Sequence, residues 1–506
     1  MGIIQRQSIK STFVILAGFL IGAVNLLVLF PIFFSQAELG MTRALMDISL
    51  TLSMLATLGS LPVIYKFYPF YKDYLDKEKN DLPFISAIVC LIGFLLVLGG
   101  GYLFQDWIIR KLGKSPEFAA YFYVVYPFTF LFLVFMWLEA FSWSLKKTIL
   151  PNFLKETLLR LIITILIVLF AVNILDLKIF LELYSLIYFI PVLILLAVLI
   201  KSGEWKLKFI SPSKVTRRLS KKMISFSLFV FSAQFLNVLS RTSDTIFAIG
   251  FEGLAQAGVF AIGTYLVAIM EIPQRSMNAI SIPVLAESWK NRDMDNIRNI
   301  YKKSVSNLLV IGTGIFSLIL LTVPELVEML NFFGRKTNAD YSIIIQIVLF
   351  MGLARVIDLG AGFNAQIIVT SSFWRFDFFS NILYTFIALP LNFILIKKFG
   401  IIGLAYANLI SLSIYNAIRY IFLWRKFKLQ PYTFKNLLTL VLATTSFFIA
   451  WIIPMDTLWY ISIFIKPFIF CLFFIPAVLF TNVAPELNNV GRQVLKSFQN
   501  LLARKN

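Results

Sequence analysis

The stretch Asn237-Val238-Leu239-Ser240-Arg241-Thr242-Ser243-Asp244 sits inside an apolar run, 223–250, that is long enough to cross a bilayer. A charge at the centre of an inserted helix costs about 2.5–3.5 kcal/mol. Such residues therefore face protein or a wet cavity rather than lipid. Arg241 and Asp244 are three apart and share a helix face, which lets them partner each other. The pattern recurs at Arg43/Asp47, Glu156/Arg160, Glu271/Arg275 and Arg355/Asp358. Five apolar runs, each with paired charges on one stripe, predict a helical bundle closed around a polar interior.

Of the 506 residues, 59% are hydrophobic and 14% are charged. Mean hydropathy is +0.84. Soluble domains average about 45–50% apolar and about 25% charged, so the composition is that of a polytopic membrane protein. The net charge of +20 does not indicate nucleic acid, because the basic residues punctuate the ends of apolar runs. The 53 phenylalanines read as lipid-facing and packing surface rather than as a base-stacking platform. Histidine is absent, which excludes a His metal site or proton relay. Cys90 and Cys471 both lie in apolar runs, so neither a zinc site nor any cofactor is expected.

About fourteen transmembrane helices are predicted, at 11–34, 41–65, 84–104, 118–143, 151–174, 179–200, 223–250, 255–281, 304–323, 342–370, 377–396, 401–423, 436–453 and 459–480. The first is read as an uncleaved span, since no small-residue cleavage site follows a short apolar region. With both termini cytoplasmic, 30 of the 46 basic residues fall in cytoplasmic segments and eight in outer loops, so the reading is N-in, C-in. The expected organisation is a six-helix lobe over 1–200 and a basic cytoplasmic linker over 201–222. A second six-helix lobe over 223–425, two extra helices over 426–484 and an amphipathic tail over 485–506 complete it. The linker, with Arg217, Arg218, Lys221 and Lys222, reads as a surface resting on anionic headgroups. Pro31, Pro127, Pro273, Pro283 and Pro390 are candidate helix breaks.

The halves share a pattern. Glu38-Leu39-Gly40, a helix, then Pro62 and Lys66-Phe67-Tyr68-Pro69 parallels Glu252-Gly253-Leu254, a helix, then Pro283 and Glu287-Ser288-Trp289. A parallel repeat of this kind is known in transporters. With Ala257-Gly258-Val259-Phe260 and Tyr265, and with Pro283-Val284-Leu285-Ala286-Glu287-Ser288-Trp289, the chain resembles the multidrug/oligosaccharidyl-lipid/polysaccharide exporters. Within them it is most similar to the polysaccharide branch, the bacterial flippases of O-antigen and capsule repeat units. The resemblance implies transfer of an undecaprenyl-diphosphate-linked oligosaccharide across the inner membrane by two lobes rocking about a central cavity. It also implies contact with membrane lipids and with other polysaccharide-assembly proteins, and no enzymatic activity.

Such a substrate needs fixed cations for its diphosphate, amides and hydroxyls for its sugars, and an apolar opening for its tail. Arginine suits the first task, because its planar fork binds phosphate oxygens bidentately and stays charged. Arg241, Arg275 and Arg355 are the leading candidates, followed by Arg43 and Arg160. Asn25, Asn237, Gln274, Asn278, Asn364 and Gln366 are candidates for the sugar route. Glu139 has no basic residue three or four positions away and is a candidate site for H+ or Na+ coupling, as are Asp47, Asp244, Glu271 and Asp358. Each pair also has a simpler reading as a neutralised bridge between helices. Arg43, Arg419 and Lys466 lie toward span ends, where snorkelling to the interface explains them.

Two other functions fit the composition. A cation-coupled multidrug exporter of the same superfamily would favour acids over arginines, and 11–34 carries no carboxylate. A membrane enzyme acting on lipid-linked sugars needs a sizeable outer loop, whereas the longest here are 105–117 and 324–341.

Overall fold

Ser35 turns the chain between its first two helices. Its hydroxyl accepts the Glu38 N–H, and the Glu38 carboxylate accepts the Ser35 N–H at 2.7 Å, a reciprocal cap. This cap starts the second helix at Gln36, ahead of the expected 41. The computed structural model describes residues 17–76, 78–104, 110, 115–145, 147–203, 212–333, 340–453 and 459–485. Inside these ranges the side chains of 233, 234, 237, 241, 276, 279, 280, 283, 333 and 459 are not described. The tail expected to be amphipathic, from 486, lies outside the described residues, as does 204–211 of the expected linker.

The helices are α1 (Ala17–Phe33), α2 (Gln36–Ala56), α3 (Ser60–Tyr74), α4 (Leu82–Leu103), α5 (Val125–Ser144), α6 (149–171) and α7 (Leu177–Lys201). Then come α8 (Lys214–Glu252), α9 (Leu254–Ala268), α10 (Glu271–Lys290), α11 (Met294–Phe333), α12 (Ile343–Gly360) and α13 (Asn364–Thr370). The described chain ends with α14 (Trp374–Phe399), α15 (Ile402–Phe427), α16 (Phe434–Ile452) and α17 (Trp459–Thr481).

The protein is an all-helical, multi-pass membrane protein. Side chains such as Leu96, Phe386 and Phe464 stand open on helix faces at 63%, 69% and 76% exposure. In water such continuous apolar surface would drive association; in a bilayer it meets lipid. Among the described residues, eight helices are long and apolar enough to span, or nine if α2 and α3 form one bent span. Helix underlies the other expected spans too, but there it is broken, short or dotted with polar residues.

The expected spans 41–65, 255–281 and 342–370 are not single helices. In the first, Pro62 has no N–H to give to the Leu58 carbonyl, and the chain turns through Leu58 (φ 46°) and Gly59 (φ 75°). The freed Leu58 carbonyl accepts the Ser227 hydroxyl of α8 at 2.7 Å. The two halves meet at 48°. In the second, Pro273 withholds the N–H that Ile269 would accept, and helix resumes at Glu271. In the third, α12 stops at Gly360, and the Ser304 hydroxyl of α11 accepts the Phe363 N–H at 3.1 Å. Pro390 does not break its helix, because α14 runs through it to Phe399.

The chain packs as two units, Met1–Gly258 and Val259–Asn506. In the first, α2 lies against α5 and α8. The basic stretch from Lys214 forms the opening turns of α8, capped by the Ser213 side chain. In the second, α11 carries α12, α16 and α17, and α14 pairs with α15.

Candidate functional site

In the second unit, the break before α10 sets Glu271 in that helix's first turn, where the helix dipole favours a carboxylate. One Glu271 oxygen accepts Arg275 at 2.7 Å, one turn along. The other lies 2.5 Å from Arg355 of α12. Arg355 also donates to Asp358 at 3.2 Å. The remaining Asp358 oxygen accepts Asn416 of α15 at 3.0 Å, and Asn416 in turn accepts Asn364 of α13 at 2.8 Å. A continuous polar chain thus crosses four helices: Arg275, Glu271, Arg355, Asp358, Asn416, Asn364. Its two cations balance its two anions. Arg275 is its open end, 70% exposed, whereas Arg355 is 25% exposed.

In the first unit, Arg43 pairs with Asp47 at 2.8 Å. Asp47 also accepts the Thr245 hydroxyl of α8 at 2.6 Å, beside the half-buried Asp244. One turn further along, Thr51 donates to Thr242 at 2.9 Å, so hydroxyls and a carboxylate join α2 to the polar part of α8. A second cluster lies where α1 meets α6, and both helices are locally π-helical there, at Asn25–Leu29 and Leu154–Leu158. Asn25 donates to the Arg160 carbonyl at 2.9 Å and accepts Thr164 at 2.8 Å. Arg160 donates to Glu156 at 3.0 Å.

Four of the five expected charge pairs therefore form. For the fifth, the side chain of Arg241 lies outside the described residues, as does that of Asn237. Glu139 has a cation after all: Lys155 of α6 lies 3.5 Å away, sixteen positions along the chain. Of the expected sugar-route residues, Asn25 and Asn364 are buried and committed to protein partners. Gln274, Asn278 and Gln366 are half-buried, and the side-chain oxygen of Asn278 has no hydrogen-bond partner among the described residues.

Two expectations of snorkelling are overturned. Arg419 is buried, pairs with Asp377, donates to Ser380 at 3.2 Å and lies over the Tyr415 ring at 4.0 Å. Lys466 of α17 pairs with buried Glu325 of α11, which also accepts Ser462 at 2.8 Å. In both cases a carboxylate on a neighbouring helix holds the cation inside. Spacing along one helix carried no sign of Lys155, Asp377, Glu325, Asn416 or Thr245, since each acts across helices.

The fold is similar to that of the lipid II flippase MurJ in its inward closed conformation, with a TM-score of 0.70 and 15% identity over 94% of this chain and 98% of that one. It is also similar to an inward-facing MATE family multidrug resistance transporter of the MOP superfamily, with a TM-score of 0.58 and 15% identity over 85% and 95%. A variant of the Vibrio cholerae MATE transporter VcmN aligns with a TM-score of 0.51 and 13% identity over 84% and 97%. No family model and no curated protein sequence matches the chain. The fold is thus the one shared by the MurJ and MATE structures, as expected for the multidrug/oligosaccharidyl-lipid/polysaccharide exporters.

Proposed function

We propose that this protein is a flippase of the bacterial inner membrane. Its substrate is an undecaprenyl-diphosphate-linked oligosaccharide, an O-antigen or capsule repeat unit, moved by alternating access. The observation that carries the reading is the convergence of Arg275 and Arg355 on the single carboxylate of Glu271. An incoming diphosphate offers oxygens to both guanidiniums and competes with Glu271 for Arg275, whose side chain is already open. Arg355, bridging two acids, holds the site together while Arg275 changes partner. Moving the charged, hydroxyl-rich head through hydrocarbon unaided is prohibitive, and this exchange replaces part of its hydration. The likeness to a lipid II flippase supports a lipid-linked substrate.

A second reading, a cation-coupled multidrug exporter, is favoured by one observation. Each described arginine of the expected pairs is matched by a carboxylate (Asp47, Glu156, Glu271, Asp358), so acids are available to cations as well. On either reading Glu139, Asp47, Asp244, Glu271 and Asp358 are the groups on which H+ or Na+ would act. The deciding experiment deletes the gene in its host and measures lipid-linked repeat units in each leaflet. Flippase function predicts their accumulation on the cytoplasmic face. Unchanged distribution with raised drug sensitivity overturns it in favour of the exporter.

A further inference from the structure

A cavity of about 270 Å³ lies in the first unit where the end of α5, the start of α6 and the end of α7 come together. Its walls are mainly apolar, with Leu150 on one side and Leu195 and Leu199 on the other. Three polar residues, Ser142, Lys147 and Thr148, interrupt them. Ser142 lines the cavity; it is 1% exposed, and its hydroxyl has no hydrogen-bond partner among the described residues. Lys147 also lines it and is exposed, held at the helix end by its N–H donating to the Ser142 carbonyl at 2.8 Å. Neither residue belongs to the charge networks described above.

We propose that this cavity is a binding site for one acyl chain of an anionic phospholipid, its phosphate on Lys147. Water suits the space poorly. It would hold on the order of nine molecules at about 30 Å³ each, each needing two to four polar partners that these walls lack. An apolar chain fills it without that cost, and an ester oxygen near the headgroup satisfies the Ser142 hydroxyl. The three helix ends lie on the side whose connections are rich in Lys and Arg, so Lys147 and the exposed Lys201 at the end of α7 meet the leaflet that carries negative headgroups. Exposed Ile190, Leu193 and Ile200 on α7 and Trp143 beside Ser142 give the chain an apolar approach from the bilayer. The site acts on the annular lipid and does not depend on what the protein transports.

The test uses the purified full-length protein in detergent, titrated with phosphatidylglycerol or phosphatidylcholine of matched chains and read by native mass spectrometry. The wild type retains one phosphatidylglycerol more tightly than phosphatidylcholine. Leu199→Trp, which fills the cavity, removes that retained lipid. Lys147→Gln leaves chain binding but lowers phosphatidylglycerol affinity about fivefold, the worth of one lysine near a charged surface. Leu150→Phe fills the space more gently and serves if Leu199→Trp does not fold; it too loses the lipid. Equal retention of the two lipids by the wild type overturns the proposal. So does undiminished binding in the filled variants, or displacement of the bound lipid by a polyprenyl phosphate at lower concentration.

Discussion

Glu271 holds Arg355 at 2.5 Å through one carboxylate oxygen while its other oxygen accepts Arg275 at 2.7 Å, so a single acid ties the first turn of α10 to the middle of α12. The two arginines differ in what else they touch. Arg355 has Asp358 as a second anion, and Arg275 opens outward.

Arg355→Lys is expected to lower transport roughly tenfold while expression holds. A lysine ammonium is a single point of charge and does not reproduce the fork that reaches Glu271 and Asp358 together; losing one charged hydrogen bond costs about 1.5–3 kcal/mol. Transport in inverted vesicles, with protein level measured alongside, checks this. Expression falling in proportion to transport would assign Arg355 a purely structural part.

Glu271→Gln removes the anion with which a diphosphate competes. The expected outcome is tighter binding of the lipid-linked substrate with slower turnover, because release must then break contacts that no internal carboxylate replaces. Binding and transport measured on the same preparation separate the two effects. Weaker binding in this variant would show that Glu271 orients the arginines rather than competing with the substrate.

The pair Lys466–Glu325 fastens α17 to α11, two helices that also share an apolar cluster including Phe470, Phe474 and Val478 of α17 and Leu321 of α11. Lys466→Met alone leaves Glu325 buried without its cation and is expected to cost about 3–5 kcal/mol. The double variant Lys466→Met, Glu325→Leu is expected to restore most of that loss, since well-packed apolar groups often substitute for a buried pair. Thermal unfolding in detergent distinguishes the cases. A double variant no better than the single would place the stabilisation in the Ser462 contact instead.

Gly40 of α2 faces the backbone at the start of α9, where an added Cβ would fall 1.8 Å from the Leu254 carbonyl oxygen. Gly258 presents the same bareness in return, 2.3 Å from the Gln36 carbonyl by the same measure. Close backbone approach of this kind depends on glycine. Gly40→Ala is expected to destabilise by about 1–3 kcal/mol, the usual cost of overpacking, visible as a lower unfolding temperature. An unchanged unfolding temperature would mean the helices separate freely there. Gly40 closes the first of the paired motifs, Glu38-Leu39-Gly40, and Gly258 lies within α9, four residues after the end of the second, Glu252-Gly253-Leu254.

Composition and residue spacing alone establish the apolar helices, the membrane class and the local charge pairs. Helical periodicity places positions three and four apart on one face whatever the surrounding fold, so Arg43/Asp47, Glu156/Arg160, Glu271/Arg275 and Arg355/Asp358 were readable before any packing was known. Tertiary structure decided which of these pairs join and which lone charges find partners. Arg355 reaching Glu271, Asn416 bridging Asp358 to Asn364, Lys155 meeting Glu139 and Asp377 holding Arg419 inside all depend on which helices lie side by side. The helix breaks were likewise only half legible. Prolines withdraw a hydrogen-bond donor locally, but whether a break opens depends on a neighbour, such as Ser227 at the Leu58 carbonyl, taking up the acceptor that is set free.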